Sequence, residues 1–281
     1  MSALGLGLVA ACAWGFHDIC VRKVSQTVPL MASLLTVLVV ALLFQLGLIA
    51  ASDTVGPLPL NAVVYAVTAG FFFLMASLAL YAAFQRGPVR LVAPIIASYP
   101  ILSVAWAAFQ GEAVTALQWG AVLMIVVGVG VVAALADDTT GQIPPKGRTI
   151  AYSGIAAIGF AGTFALGQQA AVLGDELSAT ALTRVIALTI LVGGIVILRL
   201  PMWPGRKALV VLVLMGLADG IALASVMAAG RLDGAQYAAV AASTFGLLTI
   251  VMAWAFLRER MSIFQWMGCA VAFAGIGYLA I

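Results

Sequence analysis

The string FQGEAVTALQW, residues 109–119, returns 147 positions later as FLRERMSIFQW, residues 256–266. Phe109 falls on Phe256, Glu112 on Glu259, and Gln118-Trp119 on Gln265-Trp266. Working outward at the same offset, Gly15 meets Gly162, Gly47 meets Gly194, and Gly87 meets Gly234. Gly128 and Gly130 meet Gly275 and Gly277. Single glycine matches mean little in a glycine-rich chain, but Phe-x-x-Glu followed by Gln-Trp at equal spacing in both places marks an internal repeat. The halves run over 1–136 and 149–281. Between them, residues 137–148 form the one long polar stretch, with Pro144-Pro145 and Gly147 as turn residues, and read as a linker.

Composition says what the repeated unit is made of. Hydrophobic residues make up 64% of the 281 and charged residues 8%, and the mean hydropathy is +1.18. A soluble domain is about 45–50% apolar and about 25% charged. This chain has too few polar residues to cover a water-facing surface, which excludes a soluble enzyme. Its net charge of +3, from 13 basic and 10 acidic residues, is too small an excess for a nucleic-acid binder. Cys12, Cys20 and Cys269 sit in apolar stretches with no metal or disulfide spacing, and read as small packing residues.

A bilayer crossing takes about 20 apolar residues. Ten segments qualify: 2–22, 29–51, 61–84, 91–110, 116–136, 149–173, 178–199, 207–229, 235–257 and 263–281. The breaks carry turn residues or charge, as in Arg86-Gly87-Pro88, Gly174-Asp175-Glu176 and Arg258-Glu259-Arg260. Val9-Ala10-Ala11-Cys12 looks like a lipoprotein cleavage box. No basic residue precedes it and the apolar stretch runs past it, so the first segment is expected to stay.

The expected fold is therefore all-α and integral to the membrane, ten transmembrane helices as two five-helix repeats. Five is odd, so the second repeat enters the bilayer inverted. Inverted repeats are the architecture of alternating-access transporters, with the site near the midplane between the halves. Arg and Lys concentrate in the odd-numbered loops, from Arg22 and Lys23 to Arg258 and Arg260; the even loops hold only Arg231. The positive-inside rule then puts the odd loops in the cytoplasm and both termini outside.

Ionisable side chains within such helices are costly and are functional candidates by default. Asp219, mid-way along the eighth segment, could face a wet cavity, bind a proton or a substrate ammonium, or pair with Arg184 of the seventh. Arg184 could bind a substrate carboxylate, snorkel, or make that pair. His17 is the only histidine, the side-chain type whose ordinary chemistry suits proton coupling, though a packing role suits it equally. Asp18 and Arg22, four apart, read as a local ion pair. Trp14 could stack on an apolar or cationic substrate, so Trp14, His17 and Asp18 make the first helix a cavity wall.

Further binding candidates are Ser77 and Tyr81 on one face of the third helix, and Ser98 and Tyr99 ahead of Pro100, which can free a backbone carbonyl. In the second half they are Thr163, Gln168, Gln169, Ser225, Ser243 and Thr244. Each alone is as readily an interhelical hydrogen bond. Glu112 and Glu259, at helix ends, read as capping or interfacial pairing. The Gly128/Gly130 and Gly275/Gly277 pairs suggest close helix packing. No strand precedes them and no phosphate-binding lysine follows, so no ATP site is expected, and no cofactor or metal.

The chain resembles the drug/metabolite transporter superfamily, in its EamA-type ten-helix branch, and within it the YddG-type amino-acid exporters. The matching residues are Trp14-Gly15, Tyr99-Pro100, Glu112, Gln118-Trp119-Gly120 and the Gly128/Gly130 helix, then Phe245-Gly246, Leu257-Arg258-Glu259-Arg260 and Gln265-Trp266. Two positions depart: Ala161-Gly162 stands where the first half has Trp-Gly, and Gly246 where proline is usual. The resemblance implies export of amino acids or related metabolites across a bacterial inner membrane, through a cavity walled by the first, third and fourth helices and their repeat mates. It also implies cytoplasmic termini, opposite to the charge count.

The expected function is thus a secondary transporter of small metabolites, broad in specificity, moving cargo by alternating access. The alternative is a proton-coupled exporter of drugs or of cationic or nucleotide-type metabolites. A membrane enzyme or lipid-handling protein would need a clustered nucleophile, acid–base pair or metal set, and a channel a continuous polar stripe; neither pattern stands out. The expected partners are a small-molecule substrate and the lipid bilayer, with no nucleic acid. Because the repeat supplies both halves, a monomer could suffice.

Overall fold

A backbone in lipid must satisfy its own hydrogen bonds, so each long apolar segment becomes a helix. The computed structural model describes residues 2–52, 55–109, 113–135, 146–229, 241–242 and 244–279. The first half holds α1 (Ala3–Val24), α2 (Leu30–Ala50), α3 (Leu60–Arg86), α4 (Val89–Ala97), α5 (Pro100–Phe109) and α6 (Ala116–Ala134). The second holds α7 (Lys146–Leu173), α8 (Glu176–Ile197), α9 (Arg206–Ala229), α10 (Phe245–Phe256) and α11 (Ile263–Leu279). Seven are long and apolar enough to cross a membrane, α4, α5, α10 and α11 are shorter, and there is no strand among the described residues. The chain is an all-helical multi-pass membrane protein of about ten crossings. Glu112, Arg231, Ser243 and most of the expected linker lie outside the described residues.

Helix ends follow local chemistry. Pro29, Pro59 and Pro88 stand just ahead of α2, α3 and α4, where a missing N–H costs nothing. Asp175 caps α8 by accepting from the Ser178 N–H at 2.8 Å. Thr115 and Gln118 form a capping box at the start of α6. Ser262 and Gln265, their repeat mates, form the same box before α11: the Gln265 N–H donates to Ser262 Oγ, and the Ser262 N–H to Gln265 Oε1.

The fourth segment, expected as one helix over 91–110, is two. At Ser98 and Tyr99 the backbone N–H groups reach Ile95 and Ile96, three residues back, and Pro100 has no N–H with which to continue the ladder. The second half turns in the same way at Thr244, whose N–H reaches Ala241. The Ser98 and Thr244 hydroxyls donate back to the Ile95 and Ala241 carbonyls, both at 2.6 Å.

The helices of one half pack chiefly on those of the other. α1 lies on α9 and α10, just as α7 lies on α3 and α4, and α2 meets both α8 and α9. The α6–α11 crossing shows the exchange at atomic scale. A Cβ on Gly128 would strike the Gly268 carbonyl oxygen and come within 2.6 Å of the Ala272 nitrogen. A Cβ on Gly275 would come within 2.7 Å of the Ala121 oxygen and 2.9 Å of Ile125. Gly268 and Ala272 occupy the repeat positions of Ala121 and Ile125, so the same contact is made twice. Small residues let the backbones touch, which is how helices associate when lipid is as apolar as they are. Outward-facing side chains such as Leu43, Leu60, Leu123, Val172 and Phe264 are exposed and apolar, as a bilayer-facing surface requires.

Candidate functional site

Between the halves lies a cavity of about 290 Å³. It extends from Glu176 and Gln168, near one end of the bundle, down to Leu34, Leu38 and Tyr81. Gln168 is exposed, whereas Leu34 and Tyr81 are 1% and 2% exposed, so the cavity is open at the Glu176 end and floored toward the Arg22 end. There the Arg22 guanidinium donates to the Phe84 carbonyl at 2.7 Å, and Gln85 Nε2 donates to the Ser25 carbonyl at 3.1 Å, tying α1 to α3. Glu259 reinforces the same end. Arg258 at φ 56 closes α10 in a left-handed turn. The Glu259 carboxylate then accepts from the Val89 and Arg90 N–H groups at 3.0 and 3.1 Å, capping α4 across the halves.

The walls are aromatic. Trp14 meets Phe245 edge-on at 6.0 Å, His17 meets Tyr81 at 6.2 Å, and Tyr99 lies 5.2 Å from Phe164, which stacks on Phe160. Two charged clusters interrupt them. In the first, Arg184 Nη1 donates to Asp219 Oδ2 at 2.6 Å and Trp14 Nε1 donates to Asp219 Oδ1 at 3.3 Å. The guanidinium also lies 5.6 Å from the Phe73 ring centre, a cation–π distance. In the second, His17 Nδ1 lies 3.2 Å from Asp18 Oδ1, and both side chains are buried.

Ten of the side chains singled out from sequence face this cavity: Trp14, His17, Asp18, Ser77, Tyr81, Tyr99, Thr163, Gln168, Arg184 and Asp219. Ser98 and Thr244 do not line it; their hydroxyls are occupied by their own turns. Asp219 makes the pair with Arg184, one of the arrangements open to it. The expected Asp18–Arg22 pair is not made. Arg22, one turn from the helix end, reaches carbonyls of α3, while Asp18 turns inward to His17. Sequence reasoning did not single out Phe73, Phe160, Phe164 or Phe245, nor Thr180 and Thr183. Phe160 and Phe164, four apart beside Thr163, carry a helical spacing that could have flagged them. No cluster of His, Cys, Asp and Glu fit to hold a metal ion occurs among the described residues.

Comparison with known proteins matches residues 1–134 and 148–281 to the EamA-like transporter family. A solved structure, titled only as the crystal structure of a protein, has a TM-score of 0.65 to this chain at 17% identity. The match covers 98% of this chain and 94% of that one, a likeness of fold. No curated protein matches the chain.

Proposed function

The chain belongs to the EamA-like transporter family, and from that premise we propose that it exports amino acids or related small metabolites by alternating access. The observation that carries the cargo class is the Arg184–Asp219 pair set among aromatic walls. A zwitterion with an apolar side chain matches this lining. Its carboxylate shares Arg184 with Asp219, its ammonium lies by the second buried acid, Asp18, and its side chain lies against Trp14, Tyr99 and Phe164. The volume, about 290 Å³, sits at the lower end of ligand cavities, which run from about 300 to 1,000 Å³, and so favours small metabolites. With the odd loops in the cytoplasm, the described state faces outward, and the cytoplasmic membrane is the membrane the exporter spans.

The test is counterflow. Proteoliposomes of the purified protein are loaded with one unlabelled amino acid and given trace labelled amino acids outside. Saturable, transient accumulation above equilibrium supports a carrier of this class. Leak without counterflow points to a channel, and no flux from the panel defeats the cargo class. A second reading, a cationic metabolite without a carboxylate, is favoured by the excess of acid in the cavity: Asp18, Glu176 and Asp219 against Arg184. Counterflow by the decarboxylated amine and not by the amino acid would establish it.

A further inference from the structure

The charge count of the cavity does not close on the Arg184–Asp219 pair. Those two groups neutralise each other at 2.6 Å. Glu176 stands at the open end; deeper in, that leaves Asp18, 4% exposed, whose hydrogen-bonding partner is the His17 ring. The titratable groups facing this pair can be named. Cys20 lies on α1 itself, Tyr81 on α3, Arg184 on α8 and Asp219 on α9. α2 and α10 carry no titratable residue. Asp219 lines the same cavity as this pair, its carboxylate held by Arg184. With His17 neutral, the pair holds one negative charge buried inside a membrane protein, which is expensive unless a cation joins it. With a proton on the ring, the pair is neutral.

A second observation points to a ligand at the same place. The Tyr81 hydroxyl is buried with no hydrogen-bond partner, and its ring packs edge-on against His17. Buried polar groups are nearly always satisfied, so an orphan hydroxyl in a cavity wall marks a position that something polar occupies. A primary ammonium has three N–H donors. The carboxylates of Asp18 and Asp219 and the Tyr81 hydroxyl supply three acceptors facing one cavity.

We infer that His17 and Asp18 form an exchange site, at which one proton and the ammonium group of the cargo compete for a single negative charge. When the ammonium arrives, the proton leaves the imidazole for the water of the cavity. When the ammonium departs, a proton from that side takes its place. Since the cavity faces one side at a time, one proton crosses against each cargo molecule. The identity of the cargo rests on the proposed function; the proton site does not. Asp219, the isolated acid that draws the eye in the sequence, is excluded from this role by the arginine already on it.

The experiment uses the full chain in proteoliposomes with the membrane potential clamped at zero, and the labelled amino acid that gives the largest counterflow. A gradient of one pH unit should accumulate cargo about tenfold on the acidic side, since one unit is worth a factor of ten per proton. In Asp18→Asn the ratio of flux with and without the gradient should fall to one, whatever its absolute rate. Wild-type flux indifferent to the gradient, or an Asp18→Asn ratio equal to wild type, overturns the inference. So does a ratio lost in Asp219→Asn and kept in Asp18→Asn. If no amino acid shows counterflow, the cargo reading has failed, and the proton site is read without cargo. His17 is the only histidine, so ¹⁵N-histidine labelling gives one imidazole signal. The inference expects that signal to change with pH, and to change differently in Asp18→Asn. A ring fixed in one protonation state, or a response indifferent to Asp18, overturns it.

Discussion

Arg184 and Asp219 meet at 2.6 Å across the face where α8 and α9 border the cavity, and Trp14 of the other half donates to the same carboxylate at 3.3 Å. One acid thus joins three helices from both halves. Removing one partner of a buried pair leaves a charge stranded and costs about 3–5 kcal/mol. Asp219→Ala should lose stability on that scale, read as thermal denaturation in detergent. Arg184→Met with Asp219→Leu should recover most of it without recovering transport. Equal melting of the single and double variants would show that the pair does not hold the fold.

Tyr81→Phe separates packing from recognition. The hydroxyl is buried and unpartnered, so its removal relieves an unsatisfied group and should leave the melting temperature unchanged or higher. If the cargo ammonium uses it, apparent affinity in counterflow should fall by up to about tenfold, the worth of one ordinary hydrogen bond.

The α6–α11 crossing makes a sharp contrast between two neighbouring glycines. At Gly128 an added Cβ meets backbone of α11, which cannot turn aside; at Gly130 nothing lies within 4 Å. Gly128→Ala should cost about 1–3 kcal/mol, the range for overpacking. Gly130→Ala should be neutral or slightly stabilising, as alanine is the better helix former. Paired thermal melts check both.

Glu259→Ala removes the carboxylate that caps α4 from the opposite half. Such caps are worth about 0.5–2 kcal/mol. The loss falls on the end where the cavity is closed, so the population open at that end should rise, by about tenfold if 1.4 kcal/mol is lost. The readout is labelling of a Leu34→Cys floor position by a membrane-impermeant thiol reagent. The background is a chain whose own three cysteines are serine.

The membrane class and the helices were legible because they depend on patterns spread over many residues. Sustained apolar runs fix a crossing, but they run unbroken through Pro100, where the fourth segment divides in two. Polar side chains in helices that have no water to face are few enough to stand out, which is why Trp14, His17, Tyr81 and Asp219 could be named. What the sequence hides is direction. Nothing in the string says that Asp18 turns to His17 rather than to Arg22, or that the Ser98 and Thr244 hydroxyls close on their own turns. Phe73 and Phe245 are hidden for another reason. In a chain so rich in apolar residues, a phenyl ring facing a cavity reads the same as one facing lipid.

The cross-packing of the two halves also bears on how the protein is made. α3 finds its cover in α7 and α8, and α1 in α9 and α10, while contacts inside either half are sparse. When the first six helices have left the insertion machinery, their close-packing faces therefore still have only lipid against them. Final assembly must wait for synthesis to finish. Until then, the first half of one nascent chain presents the same docking faces to any second half nearby. Two halves expressed as separate polypeptides should accordingly find each other in the membrane, and neither should persist alone.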